Sequence, residues 1–200
     1  MKGWIFLKKL FLMRHGQTLF NLRGKIQGHC DSPLSELGID QARKVRDYFI
    51  DDKVRFDAAY SSTQERAVDT AGIVCDYLKI DSIKGLKEWN FGLFEGESEL
   101  LNPKIKDGET SYGDYFVDYG GESADAVQDR MNATLLEIME NAEGNNILCV
   151  SHGGAMYRFI QKWLSQDQIE TILFTNCCVL MFDYEDGKFS FVQSINPNDN

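Results

Sequence analysis

Three times in this chain an apolar run stops at a polar turn, where a strand would leave a sheet. Residues 7–13 run into Arg14-His15-Gly16, residues 57–60 into Ser61-Ser62-Thr63, and residues 146–150 into Ser151-His152-Gly153-Gly154. Such runs, alternating with helical patterns, specify an α/β fold with a mostly parallel sheet. Between them, residues 34–50 place Ala42, Val45 and Phe49 on one face behind a Ser35 cap. Thr63 stands where it can cap a second helix, in which Ala67, Ala71, Val74 and Leu78 form a stripe. Residues 82–86 read as another strand. After Ser123, a further cap, Ala124, Val127, Met131, Leu135 and Ile138 recur at helical steps, and residues 154–164 also read as a helix. Near the end, runs 179–184 and 188–192 flank Asp186-Gly187, a hairpin signal. Two hundred residues suit one domain spanning 1–200.

Between residues 90 and 121 the periodicity vanishes among glycines, acids and aromatics, which predicts a functional loop or lid. Asp107, Glu109, Asp114 and Asp118 mix there with Tyr112, Tyr115, Phe116 and Tyr119. One reading is a solvated loop with aromatic anchors. The other is a cover that closes over an uncharged or cationic substrate body while its acids disfavour multiply anionic ones.

Charge sets a further condition. The formal net charge is −10. So acidic a surface repels nucleic acid and anionic membranes, and it repels phosphorylated molecules at long range. Any phosphate site must then be a local cationic pocket. The five cysteines (Cys30, Cys75, Cys149, Cys177, Cys178) are odd in number and scattered. They read as reduced, buried thiols of a cytoplasmic protein. Residues 1–13 are apolar, but Lys8 and Lys9 interrupt them and no small-residue cleavage site follows, so a first core strand is expected there and not a signal peptide. No run is apolar for long enough to span a bilayer.

The strand ends carry the chemistry-bearing residues. Arg14 and His15 follow the first strand, with Thr18 and Asn21 as nearby polar groups. Arg66 lies in the first turn of a helix, where amides and dipole favour an anion. Ser151-His152-Gly153 follows the third strand. Each has an ordinary explanation alone: a hydrogen-bonded histidine, or a surface arginine paired with Glu65 or Asp69. One shared pocket at the carboxyl ends of the strands explains them together. A zinc site is disfavoured, because the only histidines are His15, His29 and His152 and no Cys or His pair has ligand spacing. His29 reads as a loop residue near the pocket rim.

These segments resemble the histidine phosphatase superfamily, in its phosphoglycerate-mutase-like branch. Arg14-His15-Gly16, residues 61–71 with Arg66, and Ser151-His152-Gly153 carry the likeness. Gly24-Lys25-Ile26-Gln27-Gly28, Asp31-Ser32-Pro33-Leu34-Ser35, Leu86-Lys87-Glu88 and Gly120-Gly121-Glu122-Ser123 extend it, in family order. Lys25 stands where many members have arginine, Thr63-Gln64-Glu65 replaces a commoner proline-containing turn, and residues 97–119 match no family pattern. The distal His-Gly, in place of His-Asp, argues against phytate-type activity.

The resemblance implies a three-layer α/β/α sandwich with a C-terminal hairpin and a lid insertion at about 90–121. It further implies a phosphatase for small phosphorylated metabolites. His15 would be the nucleophile and Glu88 the proton donor, the latter against an apolar wall of Trp89, Phe91 and Phe94. Arg14, Arg66 and a protonated His152 would bind the phosphoryl oxygens, assisted by Asn21, Thr18, Gln27, Gly28 and Gly153. No metal is implied, and 2,3-bisphosphoglycerate would serve only a mutase. A cofactor-dependent phosphoglycerate mutase is the main alternative. Gln17-Thr18 where glycolytic mutases more often carry Glu-Ser, the short chain and the divergent stretch after Glu88 favour a phosphatase. A non-catalytic phospho-ligand-binding protein is the remaining class. The expected assembly is a monomer or homodimer.

Overall fold

The computed structural model describes residues 7–198, so the part of the N-terminal reading that falls on residues 1–6 lies outside the described residues. Six strands form one sheet: β1 (Lys8–Arg14), β2 (Ala58–Ser61), β3 (Ile80–Ser82), β4 (Asn146–Ser151), β5 (Val179–Glu185) and β6 (Lys188–Ile195), in the order β3-β2-β4-β1-β5-β6. The first four run parallel, and the β5–β6 hairpin adds antiparallel to β1. The hairpin turn puts Asp186 and Gly187 at φ 48° and 76°, the left-handed pair that a two-residue turn requires.

Successive side chains of a strand point to opposite faces, and the core divides accordingly. Leu10 and Leu12 of β1 with Ile147 and Cys149 of β4 face α4 (Ala124–Asn141) and α5 (Gly153–Trp163). Phe11 and Met13 with Leu148 and Val150 face α2 (Glu36–Asp51) and α3 (Glu65–Val74). Two helical layers thus enclose the sheet. A short α1 (Leu19–Leu22) and α6 (Gln166–Glu170) complete the helices. Among the described residues no helix is long and apolar enough to cross a membrane.

Several local expectations need correction. Residues 82–86 are not a strand: β3 ends at Ser82, and Lys84–Leu86 is a single 3₁₀ turn. Thr63 does not cap α3. Gln64 holds the cap position without a side-chain cap bond, and Asp31 accepts from the Glu65 N–H instead. α3 stops at Val74, so Leu78 lies beyond it. Cys30 is exposed, whereas the other four cysteines are buried, and all five are free thiols. The 90–121 segment, expected as a functional loop or lid, is tied to residues 24–26 by main-chain bonds. Ile26 N–H donates to Glu97 O (2.9 Å), Gly96 N–H to Ile26 O (2.8 Å) and Glu99 N–H to Gly24 O (2.8 Å). Phe116 is fully buried and packs edge-on against Phe91, Phe94 and Tyr112.

Candidate active site

Register builds the site. Arg14 pairs with Ser151 across β1–β4, and Ser61 with Val150 across β2–β4, so three neighbouring strands end at one edge. His15, Ser62 and His152 leave the sheet there, all buried. Gly16 serves a different close approach than the ligand contact its type suggests: a Cβ on it would lie 2.5 Å from the Gly38 carbonyl oxygen of α2. The first βα turn is thereby pressed against a helix.

The histidine tautomers follow from their partners. His15 Nδ1 lies 2.7 Å from the Gly16 carbonyl oxygen, which can only accept. Nδ1 therefore carries the hydrogen, and Nε2 keeps its lone pair. Burial first, then Arg66 and Arg14, hold His15 well below the ordinary histidine range, so the ring is neutral at pH 7. His152 is pushed the same way by burial, Arg66, His15 and Arg14. It is neutral in the free site, contrary to the protonated form expected. Ser62 Oγ lies 2.6 Å from His152 Nε2 and accepts from the Gln64 N–H at 3.3 Å. His152 Nε2 is the one acceptor found for the Ser62 hydroxyl among the described residues; with the hydroxyl proton assigned to that bond, the His152 hydrogen sits on Nδ1.

Two guanidiniums flank the pair. Arg14 donates from Nη1 to Phe174 O. Arg66 is wholly buried and donates to Cys30 O (2.8 Å), Gly28 O (2.9 Å) and Asp31 Oδ1 (2.9 Å). Its ion-pair partner is Asp31, not the sequence neighbours Glu65 or Asp69. Four buried side-chain polar atoms lack a hydrogen-bond partner among the described residues, and three of them are Arg14 Nε, Arg66 Nε and His152 Nδ1. Buried donors are seldom left unpaired. Three orphans on the residues that surround His15 mark a place for an anion with several oxygens.

Glu88 accepts from Trp89 N–H (2.8 Å), Ala155 N–H (2.7 Å) and Gly154 N–H (3.1 Å) at the start of α5. The expected apolar wall is largely absent. The Trp89 ring turns into the core, and Phe94 packs on Phe116; only Phe91 joins Glu88 in lining the pocket. That pocket, about 140 Å³, is also lined by Arg14, His15, Asn21, Lys25, Gln27, Gly28 and Arg66, and by Glu99, Asn102 and Tyr112 of the 90–121 segment. Thr18 is buried and works inside the wall, donating to Gln27 Oε1 (3.0 Å) and receiving the Asn21 N–H (3.2 Å). Gly28 contributes its carbonyl to Arg66 and Gln64. Gly153 lies where a Cβ would come within 3.4 Å of the Arg14 guanidinium. Of the lid acids, Glu109, Asp114 and Asp118 line a separate, larger cavity that shares Tyr112 with the pocket; the carboxylate of the 90–121 segment that lines the pocket is Glu99.

Several supporting residues escaped the sequence reading. Asp31, Ser62 and Gln64 orient Arg66, His152 and Glu88. Glu95 accepts from the N–H groups of His29, Cys30 and Phe91. His29 does not stand idle at the rim: its Nε2 lies 3.0 Å from the Glu88 carbonyl oxygen. Among the described residues no cluster of His, Cys, Asp and Glu is arranged to hold a metal ion.

A mostly parallel α/β sheet that sets two arginines around a neutral histidine at its carboxyl edge places this chain among α/β proteins whose strand-end site suits an anion. The chain belongs to the histidine phosphatase superfamily (branch 1), whose family profile matches residues 10–197. It is 31% identical over 196 residues to a broad-specificity phosphatase of Saccharomyces cerevisiae, covering 92% of this chain and 83% of that protein. Among solved structures, a phosphoglycerate mutase from Bacillus anthracis superposes with a TM-score of 0.81 at 29% identity, over 96% of this chain and 94% of that one. A mutant phosphoserine phosphatase from Entamoeba histolytica, in complex with phosphoserine, superposes with a TM-score of 0.77 at 29% identity, over 95% and 98%. These relatives support a phosphatase of the histidine type.

Proposed function

We propose that this chain is a cytoplasmic, metal-independent phosphomonoesterase, one catalytic domain over residues 1–200, acting on small phosphorylated metabolites through phospho-His15. The three orphan donors around His15 carry the reading. A phosphoryl group over His15 would accept from Arg14 Nε, Arg66 Nε and His152 Nδ1. These donors meet the equatorial oxygens, where negative charge spreads in the transition state. The pocket volume, small beside the few hundred Å³ of common ligand sites, favours a small substrate body.

In the first step the His15 Nε2 lone pair forms the P–N bond. The P–O electron pair departs on the leaving oxygen, which takes a proton from Glu88. In the second step water attacks phosphorus, its proton passes to Glu88, and the P–N pair returns to the imidazole. Asn21 presents its amide N–H₂ to the pocket, because its Oδ1 already accepts from the Thr18 N–H.

A metabolite panel assayed beside His15→Ala tests the reading. Turnover of one or more small phosphomonoesters is expected, abolished in the variant, with an acid-labile phosphoenzyme on the wild type. Normal turnover by His15→Ala would refute it. The panel contains no added 2,3-bisphosphoglycerate, and phosphate release under those conditions separates a phosphatase from a mutase, which must shield its phosphoenzyme from water.

A further inference from the structure

We propose that Arg130, Glu122 and His29 form a clamp that positions the proton donor, gripping the Glu88 main chain so that its carboxyl is delivered to the start of α5 beside His15. The inference rests on the phosphatase reading above, in which Glu88 protonates the leaving oxygen.

Glu88 sits in a stretch that neither helix nor sheet stabilises. β3 ends at Ser82 and one 3₁₀ turn follows at Lys84–Leu86. The carbonyls of such a stretch need partners from elsewhere. Arg130, reaching over from α4, supplies them. Its Nη1 donates to Gly85 O (2.9 Å) and Lys87 O (2.8 Å), and its Nη2 to Glu88 O (3.2 Å). Its Nε and Nη2 also donate to the two Glu122 oxygens at 2.9 and 2.8 Å. Five bonds use all five guanidinium N–H groups, a fork that lysine cannot reproduce.

Glu122 locks the other side. It accepts from the Asn90 N–H at 3.0 Å through Oε2, and its carbonyl accepts from the Trp89 indole at 2.8 Å. His29 Nε2 donates to the same Glu88 carbonyl as Arg130 and stands 3.9 Å from Glu122. Gln64 Oε1 accepts the Glu88 N–H at 3.0 Å. Both main-chain polar groups of Glu88 are therefore held. Neither Arg130 nor Glu122 lines the reaction pocket. Their effect must pass through the position of Glu88, and misplacement by about 1 Å is enough to cost a large part of a catalytic step.

Leaving-group dependence separates positioning from general support of the fold. A proton donor matters most when an alkoxide departs and least when a stabilised phenolate does. The full-length wild type, Glu88→Gln, Arg130→Met and Arg130→Lys are assayed on glycerol phosphate and on p-nitrophenyl phosphate. Glu88→Gln should lose about 10²–10⁴-fold on the alkyl ester and far less on the aryl ester. Arg130→Met should show the same bias, at least about tenfold more loss on the alkyl ester, carried by kcat with KM little changed. Arg130→Lys should recover only part. Should Arg130→Met not fold, Glu122→Gln, which keeps the shape, should show a smaller bias of the same sign. Equal losses on both esters in the clamp variants, with the bias intact in Glu88→Gln, would overturn the clamp alone. No bias in Glu88→Gln would overturn Glu88 as donor, and the clamp with it.

Discussion

The rings of His15 and His152 stand 5.1 Å apart, tilted by 57°, and both side chains are buried. Burial and two nearby guanidiniums hold both below the ordinary value of 6.5. The unfolded chain therefore binds more protons than the native one once the pH falls below that value. Native stability must drop on acidification through this window and be insensitive to these two groups above it. The melting temperature should fall from pH 7.5 to pH 5.5, and a His15→Gln/His152→Gln double variant should fall less steeply. Identical slopes in the two proteins would show that the pair is not depressed.

The same depression governs the reaction. In the proposed reaction the nucleophile is a neutral His15, so kcat/KM should hold as the pH is lowered through 6.5 and fail only further down. A pH profile on a small phosphomonoester checks this. An acid limb at or above 6.5 would contradict the arrangement of Arg66 and Arg14 about the ring.

What the sequence made legible was whatever depends on local pattern. β1 and β4 announced themselves as apolar runs ending in polar turns, and α4 by the spacing from Ala124 to Ile138. What it concealed depends on contacts between distant segments. Thr63 looked like the cap of α3 because capping is usually local, yet the group that meets the Glu65 N–H is Asp31, 34 residues earlier. Glu65 and Asp69 looked like partners for Arg66 for the same reason. Phe116 lies in the stretch without period and Trp89 just before it, and only the folded chain shows them packed at 6.2 Å as part of the core. The Ser165–Gln168 capping box that starts α6 was visible in principle as Ser-x-x-Gln, but the helix has only five residues and carries little periodicity.

Asp31 does two tasks at once, pairing with the buried Arg66 and meeting the Glu65 N–H at the start of α3. Its side chain is 30% exposed, so the pair is partly screened. Asp31→Ala should cost about 1–3 kcal/mol, the range for leaving a buried donor unmatched. It should also raise KM more than it lowers kcat, because Arg66 loses one of its three anchors. Urea unfolding and steady-state kinetics measure the two effects. Unchanged KM would mean that Cys30 O and Gly28 O suffice to hold the guanidinium.

Ser62 sets which nitrogen of His152 is free to donate. Without its hydroxyl the His152 hydrogen can move to Nε2, away from the proposed phosphoryl site. Ser62→Ala should weaken inhibition by inorganic phosphate about 5–30-fold, corresponding to roughly 1–2 kcal/mol. Fold stability should change less than in Asp31→Ala. Unaltered phosphate inhibition would argue that His152 does not donate from Nδ1.

Two helical glycines should respond with opposite signs to the same substitution. Gly38, in the first turn of α2, lies so close to the first βα turn that an added Cβ would come 2.0 Å from the Gln17 carbonyl oxygen. That atom belongs to main chain fixed by the Ser35 N–H, which donates to it at 2.8 Å. Neither side can yield without moving the segment that carries His15. Gly38→Ala should therefore destabilise by about 1–3 kcal/mol and reduce turnover as the Arg14-His15-Gly16 turn shifts. Gly72, inside α3, has open space around an added Cβ and an ordinary helical backbone. Gly72→Ala should stabilise by about 0.4–1 kcal/mol through lost freedom of the unfolded chain, with activity unchanged. Thermal melts read the difference at roughly 2–4 °C per kcal/mol for a chain of this size. Equal shifts in both variants would mean that helix propensity, and not the contact between α2 and the His15 turn, decides the outcome.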